Sequence, residues 1–211
     1  MIFMAVKDVK PTRSELQALQ KRIKLSKNGH KLLKMKRDGL IMEFFKILDK
    51  ARNVREELDK AYEDAVLASN LASAVEGSIA LKSASFSVNV VPSIELKNTN
   101  IMGVVVPEIR GSDVHKQLHT RGYGVVGTNA YIDEAADTYE ILVEKIIVAA
   151  ELETTMKRLL DDIEKTKRRV NALEFKVIPE LEESVSFIKL RLEEMERESL
   201  SSLKKIKGKS A

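Results

Sequence analysis

The 211-residue sequence contains no cysteine and no tryptophan, and only four prolines and nine glycines. Without cysteine the chain has no disulfides, no thiolate metal ligands and no cysteine nucleophile, which fits a reducing compartment. Aromatic residues make up 5% of the chain, whereas charged residues make up 32%. This balance, with Ala, Glu, Lys, Leu and Arg predominating, is typical of long amphipathic helices and coiled coils.

Long hydrophobic runs are also missing. No apolar stretch reaches the roughly 18 residues that a membrane-spanning helix needs, and the first residues lack the apolar region of a secretory signal. We therefore expect a soluble chain, which leaves open a position beside a membrane as part of a larger complex.

The net charge of +4 is mild, but the charges are unevenly distributed. Residues Leu16–Arg37 contain eight Lys or Arg and no acid, whereas Ile178–Glu198 contain seven acids and three bases. Residues Leu203–Ala211 add four lysines. The oppositely charged blocks are either tails for separate partners or neighbours in a folded chain.

A heptad pattern covers the N-terminal third of the chain. In two series of every seventh residue, starting at Leu16 and Leu19, fifteen of 18 positions are apolar. A 3.5-residue period sustained over nine heptads predicts a coiled-coil helix over residues 12–75. Thr12 and Glu15 have the spacing of a capping box at its start. The seam residues singled out on this helix are Leu16, Leu19, Ile23, Leu33, Phe44 and Leu58.

A second apolar stripe with helical spacing predicts another long helix over residues 132–206. Around Pro179 the spacing becomes three successive steps of four, a stutter that locally unwinds a left-handed supercoil. Proline inside a helix removes one backbone hydrogen bond and usually produces a kink. Because the stripe continues on the same face beyond Pro179, we predict one continuous, bent helix. Its seam residues are Val170, Leu181, Ile188 and Leu192.

The two charge blocks favour an antiparallel pairing of the helices, because that arrangement places the basic block beside the acidic block. In the predicted register His30 lies near Ile188, and Arg37 lies near Leu181. The flanking charges then favour this register over a parallel one.

The segment between the helices, residues 76–131, differs in kind. It contains the β-branched stretches SFSVNVVPSIEL and NTNIMGVVVPEI, which predict a small β-hairpin followed by a loop. The predicted fold is therefore mainly α: a bent antiparallel coiled coil with a hairpin-containing lobe at its closed end. An N-terminal tail of residues 1–11 and a basic tail of residues 207–211 complete the chain.

No motif predicts catalysis. Residues 122–127, GYGVVG, match G-x-G-x-x-G, but a dinucleotide site needs that motif inside a βαβ unit, and none is predicted. Asp113, His115 and His119 could suggest a metal site, but no helix is predicted there that would place their side chains on one face. We interpret His30 as a polar register residue or an interface residue rather than a general base. Since no Ser or Asp constellation accompanies the histidines, we predict no catalytic, cofactor-binding or metal site.

Nucleic acid is the main alternative partner for the basic helix, whose lysines could neutralise phosphates. The basic block lacks interleaved aromatic residues, however, and spreads around the helix. The antiparallel register also gives the block an acidic neighbour within the chain. We predict no nucleic-acid binding, while a free-standing coiled-coil scaffold or nucleic-acid-binding clamp stays open as the alternative function.

Four segments together resemble one known family. They are PTRSELQALQKRIKLSKNGHKLLKMKRDGL (Pro11–Leu40), NIMGVVVPEI (Asn100–Ile109), GYGVVGTNAYIDEAADTY (Gly122–Tyr139) and RRVNALEFKVIPELEESVSFIKLRLEEMERE (Arg168–Glu198). In this order, over nearly the whole chain, they are similar to the D subunit of the V-type and archaeal A-type ATP synthases. The mechanically similar γ-like shaft of an F-type enzyme lacks this order of motifs.

The resemblance implies a non-catalytic rotor shaft of the central stalk, on the cytoplasmic side of the membrane. In the family, one end of the coiled coil lies inside the hexamer of catalytic A and B subunits. The other end joins the F subunit and, through the C subunit, the membrane ring driven by protons or sodium ions. The resemblance thus implies protein partners, with no direct small-molecule ligand and no cofactor.

By position, the open end of the coiled coil is expected to contact the hexamer. The candidate hexamer contacts are Arg13, Lys24, Lys27, Lys31, Lys204, Lys205 and Lys207. The part of the lobe from Ser83 to Ile109, together with the Ala-rich stretch of residues 61–74, is expected to contact the F and C subunits. In the family the hairpin of the lobe is linked to stimulation of ATPase activity, and the alternative is a cap that only closes the coil. The candidate stalk-partner residues of the lobe are Phe86, Val88, Ile101, Met102 and Val105.

Overall fold

The computed structural model describes residues 10–88, 92–112, 114–117, 121–124 and 128–209. Its elements are, in order, α1 (Arg13–Glu76), α2 (Ser78–Ser87), β1 (Ser93–Ile101), β2 (Val104–Ser112), α3 (Ala130–Ala172), a π-helical turn (Leu173–Val177) and α4 (Ile178–Lys209). The predicted mainly α fold with two long helical regions and a small hairpin is confirmed. Within the described residues, no helix is both long and apolar enough to cross a bilayer.

The chain divides into two compact units. The terminal unit comprises Met1–Asp38 and Ile163–Ala211, and the lobe unit comprises Gly39–Asp162. Of the N-terminal tail predicted at residues 1–11, only Lys10 and Pro11 are described. In the basic tail predicted at residues 207–211, the first three residues belong to α4 and the last two lie outside the described residues.

Helix α1 begins where the sequence predicts a cap. The backbone N–H of Glu15 donates to Oγ1 of Thr12 at 3.2 Å, which is one of the two hydrogen bonds of a capping box. The helix continues for 64 residues and ends before Gly77, whose φ of 84° is left-handed. Glycine adopts this conformation without steric cost, so it is well suited to end the helix.

The core of the terminal unit forms where the start of α1 packs antiparallel against α4. Its buried residues are Leu19, Val185 and Ile188, with Leu16, Ile23, Leu181 and Leu192 packed against them. Ion pairs flank this core: Arg13 lies 2.6 Å from Glu196, and Lys27 lies 2.7 Å from Glu182. The predicted meeting of the basic and acidic blocks is confirmed.

The register of this pairing differs from the predicted one. Ile188 and Leu181 both pack in the core around Leu19, so neither lies beside its predicted neighbour, His30 or Arg37. The predicted register is wrong by about three helical turns. A heptad seam presents similar apolar surface after a shift of about 11 residues, so periodicity alone does not fix the register.

The C-terminal helical region contains a π-helical turn immediately before Pro179. The backbone N–H of Ile178 donates to the carbonyl oxygen of Leu173, five residues back. In an α-helix the ring of Pro179 would clash with the carbonyl four residues earlier. The wider π turn adds one residue at this point, so α3 and α4 follow one another without a break. The predicted irregularity at Pro179 is confirmed, while a bend there stays a prediction.

The hairpin consists of two antiparallel strands in which Ile101 pairs with Val104. Its turn residues, Met102 and Gly103, have φ angles of 51° and 88°. Positive φ at both positions suits the twist of a two-residue hairpin. Oδ1 of Asn100 also accepts a hydrogen bond from the N–H of Gly103 at 2.8 Å.

The limits of the hairpin differ from those the sequence suggested. The turn, Met102-Gly103, falls inside the segment NTNIMGVVVPEI. The sequence does not mark this turn clearly, because Met-Gly is not one of the usual turn pairs such as Asn-Gly. The segment SFSVNVVPSIEL begins with the last residues of α2, a helix that its sequence pattern does not predict. Ala84, just before this segment, is buried in the core of the lobe unit, a contact that the sequence alone does not reveal.

Candidate functional site in the lobe unit

The lobe unit is built around small side chains. Its buried cluster consists of Ala68, Ala72, Ala84, Tyr123, Ile132 and Ala135, with Leu81 packed against it. Because four of these are alanines, α1, α2 and α3 approach one another closely. The Ala-rich stretch predicted to meet partner subunits is therefore partly used inside the chain, whereas Tyr62, Leu67 and Leu71 of the same stretch are exposed.

A buried arginine connects the loop before α3 to that helix. Arg121 is 3% exposed. Its Nε and Nη2 donate to the two carboxylate oxygens of Glu140 at 3.1 and 3.0 Å, and Nη2 also donates to Asp137. Its Nη1 lies 3.5 Å from the hydroxyl oxygen of Tyr123, which donates to Asp133 at 2.7 Å. One guanidinium thus holds several groups of the lobe together.

The electrostatics of this network indicate a structural role. Burial acts to lower the pKa of Arg121, but hydrogen bonds to Glu140, Asp137 and Tyr123 outweigh burial and raise that pKa. Burial, supported by the hydrogen bond to Asp133, raises the pKa of Tyr123. The arginine therefore stays charged and the tyrosine stays neutral near pH 7. Neither group is suited to proton transfer.

Gly122 is the first glycine of the G-x-G-x-x-G match, and the structure explains why glycine is required at this position. Its φ is 91°, and a Cβ at this position would lie 2.5 Å from the backbone oxygen of Ser87. The glycine is needed because the end of α2 approaches the loop closely, a reason unrelated to phosphate binding. The second half of the motif, residues 125–127, lies outside the described residues.

We expect Gly122→Ala to destabilise the lobe unit more than Gly77→Ala. Both glycines have positive φ, which costs a side chain about 1 kcal/mol or more, but a Cβ at Gly77 would meet nothing within 4 Å. At Gly122 the added Cβ also collides with fixed backbone, so we expect a loss of about 2 to 3 kcal/mol. Urea unfolding monitored by tyrosine fluorescence measures the free energy of unfolding of both variants. Equal losses would contradict the steric explanation.

The hairpin is attached to both long helices of the lobe unit. The N–H of Ile109 donates to Oε2 of Glu151 at 2.9 Å, and Nη1 of Arg158 donates to the carbonyl oxygen of Val105 at 2.8 Å. At the turn, the side chain of Met102 packs on Gly39 of α1, where a Cβ would lie 2.6 Å from Cε of Met102. Gly39 is thus the contact point for the hairpin tip.

We expect Gly39→Ala to strengthen α1 locally and to loosen the hairpin tip. Alanine is a better helix former than glycine by about 1 kcal/mol, but its methyl group must displace Met102. Gly29→Ala is a matched control, since Gly29 lies in the same helix and a Cβ there would meet nothing within 4 Å. Hydrogen exchange of the hairpin should rise for Gly39→Ala alone. A similar rise for both variants would disprove the contact.

The predicted hexamer contacts lie on the exposed surface of the terminal unit. Arg13 and Lys27 already form the ion pairs with Glu196 and Glu182. The remaining candidates, Lys24, Lys31, Lys204, Lys205 and Lys207, are exposed on α1 and α4. Their contacts with other subunits stay predictions.

The seam residues are all at least partly buried. Leu19, Val170 and Ile188 are buried, while Leu16, Ile23, Leu33, Phe44, Leu58, Leu181 and Leu192 are half-buried. The lobe candidates differ, because Phe86, Val88, Met102 and Val105 are exposed and Ile101 is half-buried. Phe86 is the most open of them, at 84% exposure.

The two described histidines, His30 and His115, have carboxylate neighbours rather than metal-ligand geometry. Nε2 of His30 lies 3.4 Å from Glu174, in the π-helical turn. His115 lies between Glu140 and Glu144, at 3.5 and 3.4 Å. The other two members of the predicted trio, Asp113 and His119, lie outside the described residues. In the described part of the chain, no three His, Asp or Glu side chains are grouped to hold a metal ion.

Comparison with known proteins assigns the family. The family of ATP synthase D subunits matches residues 15–208. The chain belongs to this family. The D subunit of the A-type ATP synthase of Methanosarcina acetivorans is 66% identical over 206 residues, covering 98% of this chain and 99% of its own. The D subunit of Haloarcula marismortui is 55% identical over 203 residues, covering 96% and 88%. The resemblance found in the four motifs is confirmed.

Family membership makes this protein part of an ATP synthase complex, whose other subunits are its partners. Two structural features of this chain were not predicted from its sequence. Arg121 was not singled out, although a lone arginine in a Gly-rich loop before an acidic helix start was a usable signal. Gly39 carries no signal in the sequence, and only the position of the hairpin shows its contact with Met102.

Proposed function

We propose that this chain is the non-catalytic rotor shaft of the central stalk of an A-type ATP synthase. It transmits torque between the ion-driven membrane ring and the A–B hexamer, coupling ion transport to ATP synthesis or hydrolysis. The observation that carries the proposal is the pairing of long helices on a narrow apolar core with ion pairs outside. Such a pair resists bending and twisting while leaving its outer surface available to other subunits.

The terminal unit is the part proposed to lie inside the hexamer. Apolar side chains on its outer surface are exposed, including Leu25 at 72% and Leu190 at 57%. Exposed apolar surface of this kind marks protein contacts. The lysines and Arg13 add charged contacts that are individually weak, about 0–1 kcal/mol each. Weak contacts suit a rotor that must release each catalytic site in turn.

The lobe unit is proposed to contact the F subunit and, towards the membrane ring, the C subunit. Its exposed apolar side chains lie on α1, on α2 and the residue that follows it, and on the hairpin. They include Tyr62, Leu67, Leu71, Phe86, Val88, Met102 and Val105. An apolar cleft of about 500 Å³ between α2 and the start of α3 adds a concave surface to this region. We also propose that the protein lies on the cytoplasmic side of the membrane, to which other subunits attach it.

Rotation of the lobe relative to the hexamer tests the proposal directly. Because the chain has no native cysteine, a single Ser83→Cys substitution in the exposed part of α2 allows a probe to be attached. With the A–B hexamer immobilised, ATP should drive stepwise rotation of the probe. A probe that stays still while ATP is hydrolysed would disprove the rotor role. Salt-sensitive DNA binding by the isolated chain would instead favour the nucleic-acid clamp.

The candidate hexamer contacts are tested by charge reversal. We expect Lys204→Glu combined with Lys205→Glu to weaken assembly with the A and B subunits by about five- to tenfold, since each exposed contact contributes up to about 1 kcal/mol. The control is Lys50→Glu combined with Lys60→Glu, two exposed lysines of the lobe unit. Titration of labelled protein into the A–B hexamer measures the affinity of both double variants. Equal weakening would show only a general effect of charge.

A further inference from the structure

The two outer edges of the hairpin differ in how their backbone groups are satisfied. Since Ile101 and Val104 close the ladder, the backbone groups of alternate residues of β2, beginning with Val105, point away from β1. The carbonyl oxygen of Val105 accepts from Arg158, and the N–H of Ile109 donates to Glu151. Pro107, between them, has no N–H to offer. The outer edge of β2 is therefore closed to a further strand.

The outer edge of β1 is open by the same reasoning. The backbone N–H and C=O groups of Ile94, Leu96, Asn98 and Asn100 point away from β2. Among the described residues, no hydrogen bond uses these groups. Eight of the nine residues of β1 are exposed, and the side chains of Ile94 and Leu96 are 58% and 69% exposed. An unpaired edge with apolar side chains is a template for strand addition.

The side chains of β1 are complementary to a second copy of the same strand. Consider an antiparallel pair of β1 strands with its two-fold axis at Leu96. Ile94 then lies opposite Asn98 of the second copy, and the outward backbone N–H and C=O groups of these two residues can form hydrogen bonds with each other. Glu95 of each copy then lies directly opposite Lys97 of the other, which forms two equivalent ion pairs. Leu96 lies opposite itself. Opposite charges directly across two strands stabilise pairing, whereas like charges destabilise it.

The neighbouring registers lack this match. Moving the two-fold axis by one residue in either direction places Glu95 opposite Glu95, or Lys97 opposite Lys97. A parallel in-register pairing also brings like charges together. The sequence of β1 thus favours one register over its nearest alternatives, and lysine on the edge disfavours pairing with strands that do not offer an acid at that position.

We propose that β1 is a strand-addition edge at which a second copy of this chain pairs antiparallel about Leu96, forming a continuous four-stranded sheet. The pairing concerns the free chain and does not depend on the rotor role. Two short strands bury less than the roughly 1,600 Å² of a standard interface, so the association is weak and depends on concentration. The pairing covers the side chains of Ile94 and Leu96, which are exposed to solvent in the single chain.

Single cysteines in the full-length chain test the register. In the proposed pair, Leu96→Cys places two thiols on residues whose Cα atoms lie about 5.5 Å apart, within disulfide range. Ile94→Cys is the matched control, since two such residues lie roughly 13 Å apart along the strands. We expect disulfide-linked dimer to form at least about tenfold faster for Leu96→Cys. A mixture of Ile94→Cys and Asn98→Cys chains should also cross-link. Equal rates for Leu96→Cys and Ile94→Cys overturn the proposal.

Charge exchange tests the ion pairs independently. In sedimentation across a concentration series, Glu95→Lys and Lys97→Glu should each abolish dimer formation, and the double variant should restore it. Far-UV circular dichroism confirms that each variant stays folded. Association that is unchanged in the single variants overturns the proposal. The same cross-linking can be repeated with the other subunits of the complex added. If Leu96→Cys then links only to one of them and forms no homodimer, the proposal is overturned and the edge is assigned to that subunit.

Discussion

We expect Arg121→Met to lower the free energy of unfolding of the lobe unit by about 3 to 5 kcal/mol. Methionine keeps a long side chain in the buried position but removes the cation shared by Glu140 and Asp137. The side chain of Glu140 is only 15% exposed, so its carboxylate does not regain full hydration. The four tyrosines, Tyr62, Tyr123, Tyr131 and Tyr139, all lie in the lobe unit. Tyrosine fluorescence during urea unfolding therefore reports on this unit.

Arg13→Met provides the control for Arg121→Met. Arg13 also pairs with a carboxylate, that of Glu196, but its side chain is 79% exposed. The same change of side chain should therefore cost only about 0–1 kcal/mol. If the two variants lost similar stability, burial of the Arg121 network would not be what stabilises the lobe.

Ile188→Ala should have the second large effect, in the terminal unit. Ile188 is fully buried against Leu19 and Val185. Removing three carbon atoms from a packed core costs about 2 to 5 kcal/mol, through lost burial and the cavity left behind. Because no tyrosine lies in this unit, far-UV circular dichroism during urea unfolding is the suitable measurement.

Leu190→Ala separates core packing from helix propensity. Leu190 lies two residues further along α4 and is exposed, so its truncation should change stability by less than about 1 kcal/mol. The difference between the two variants measures burial at the seam. A loss for Leu190→Ala as large as that for Ile188→Ala would contradict the described pairing of α1 with α4.

The lobe shows where local sequence signals are insufficient. The hairpin was predicted from its β-branched residues, but α2 was not, because the chain around Ala84 has no strong helical pattern of its own. The reason for the glycine at position 122 is likewise a contact with Ser87, thirty-five residues earlier in the chain. Such distant contacts leave no periodic trace, so a single sequence does not reveal them.

The sequence by itself determined the class of the protein. Its heptads required long paired helices, its oppositely charged ends favoured antiparallel pairing, and its stutter at Pro179 located the irregular turn. Only the tertiary structure decided which turn of α1 meets which turn of α4, how the hairpin attaches to α3, and which charges are buried. The physical reason is that periodicity repeats along a helix and therefore fixes a face, whereas a register depends on the fit of particular side chains from distant parts of the chain.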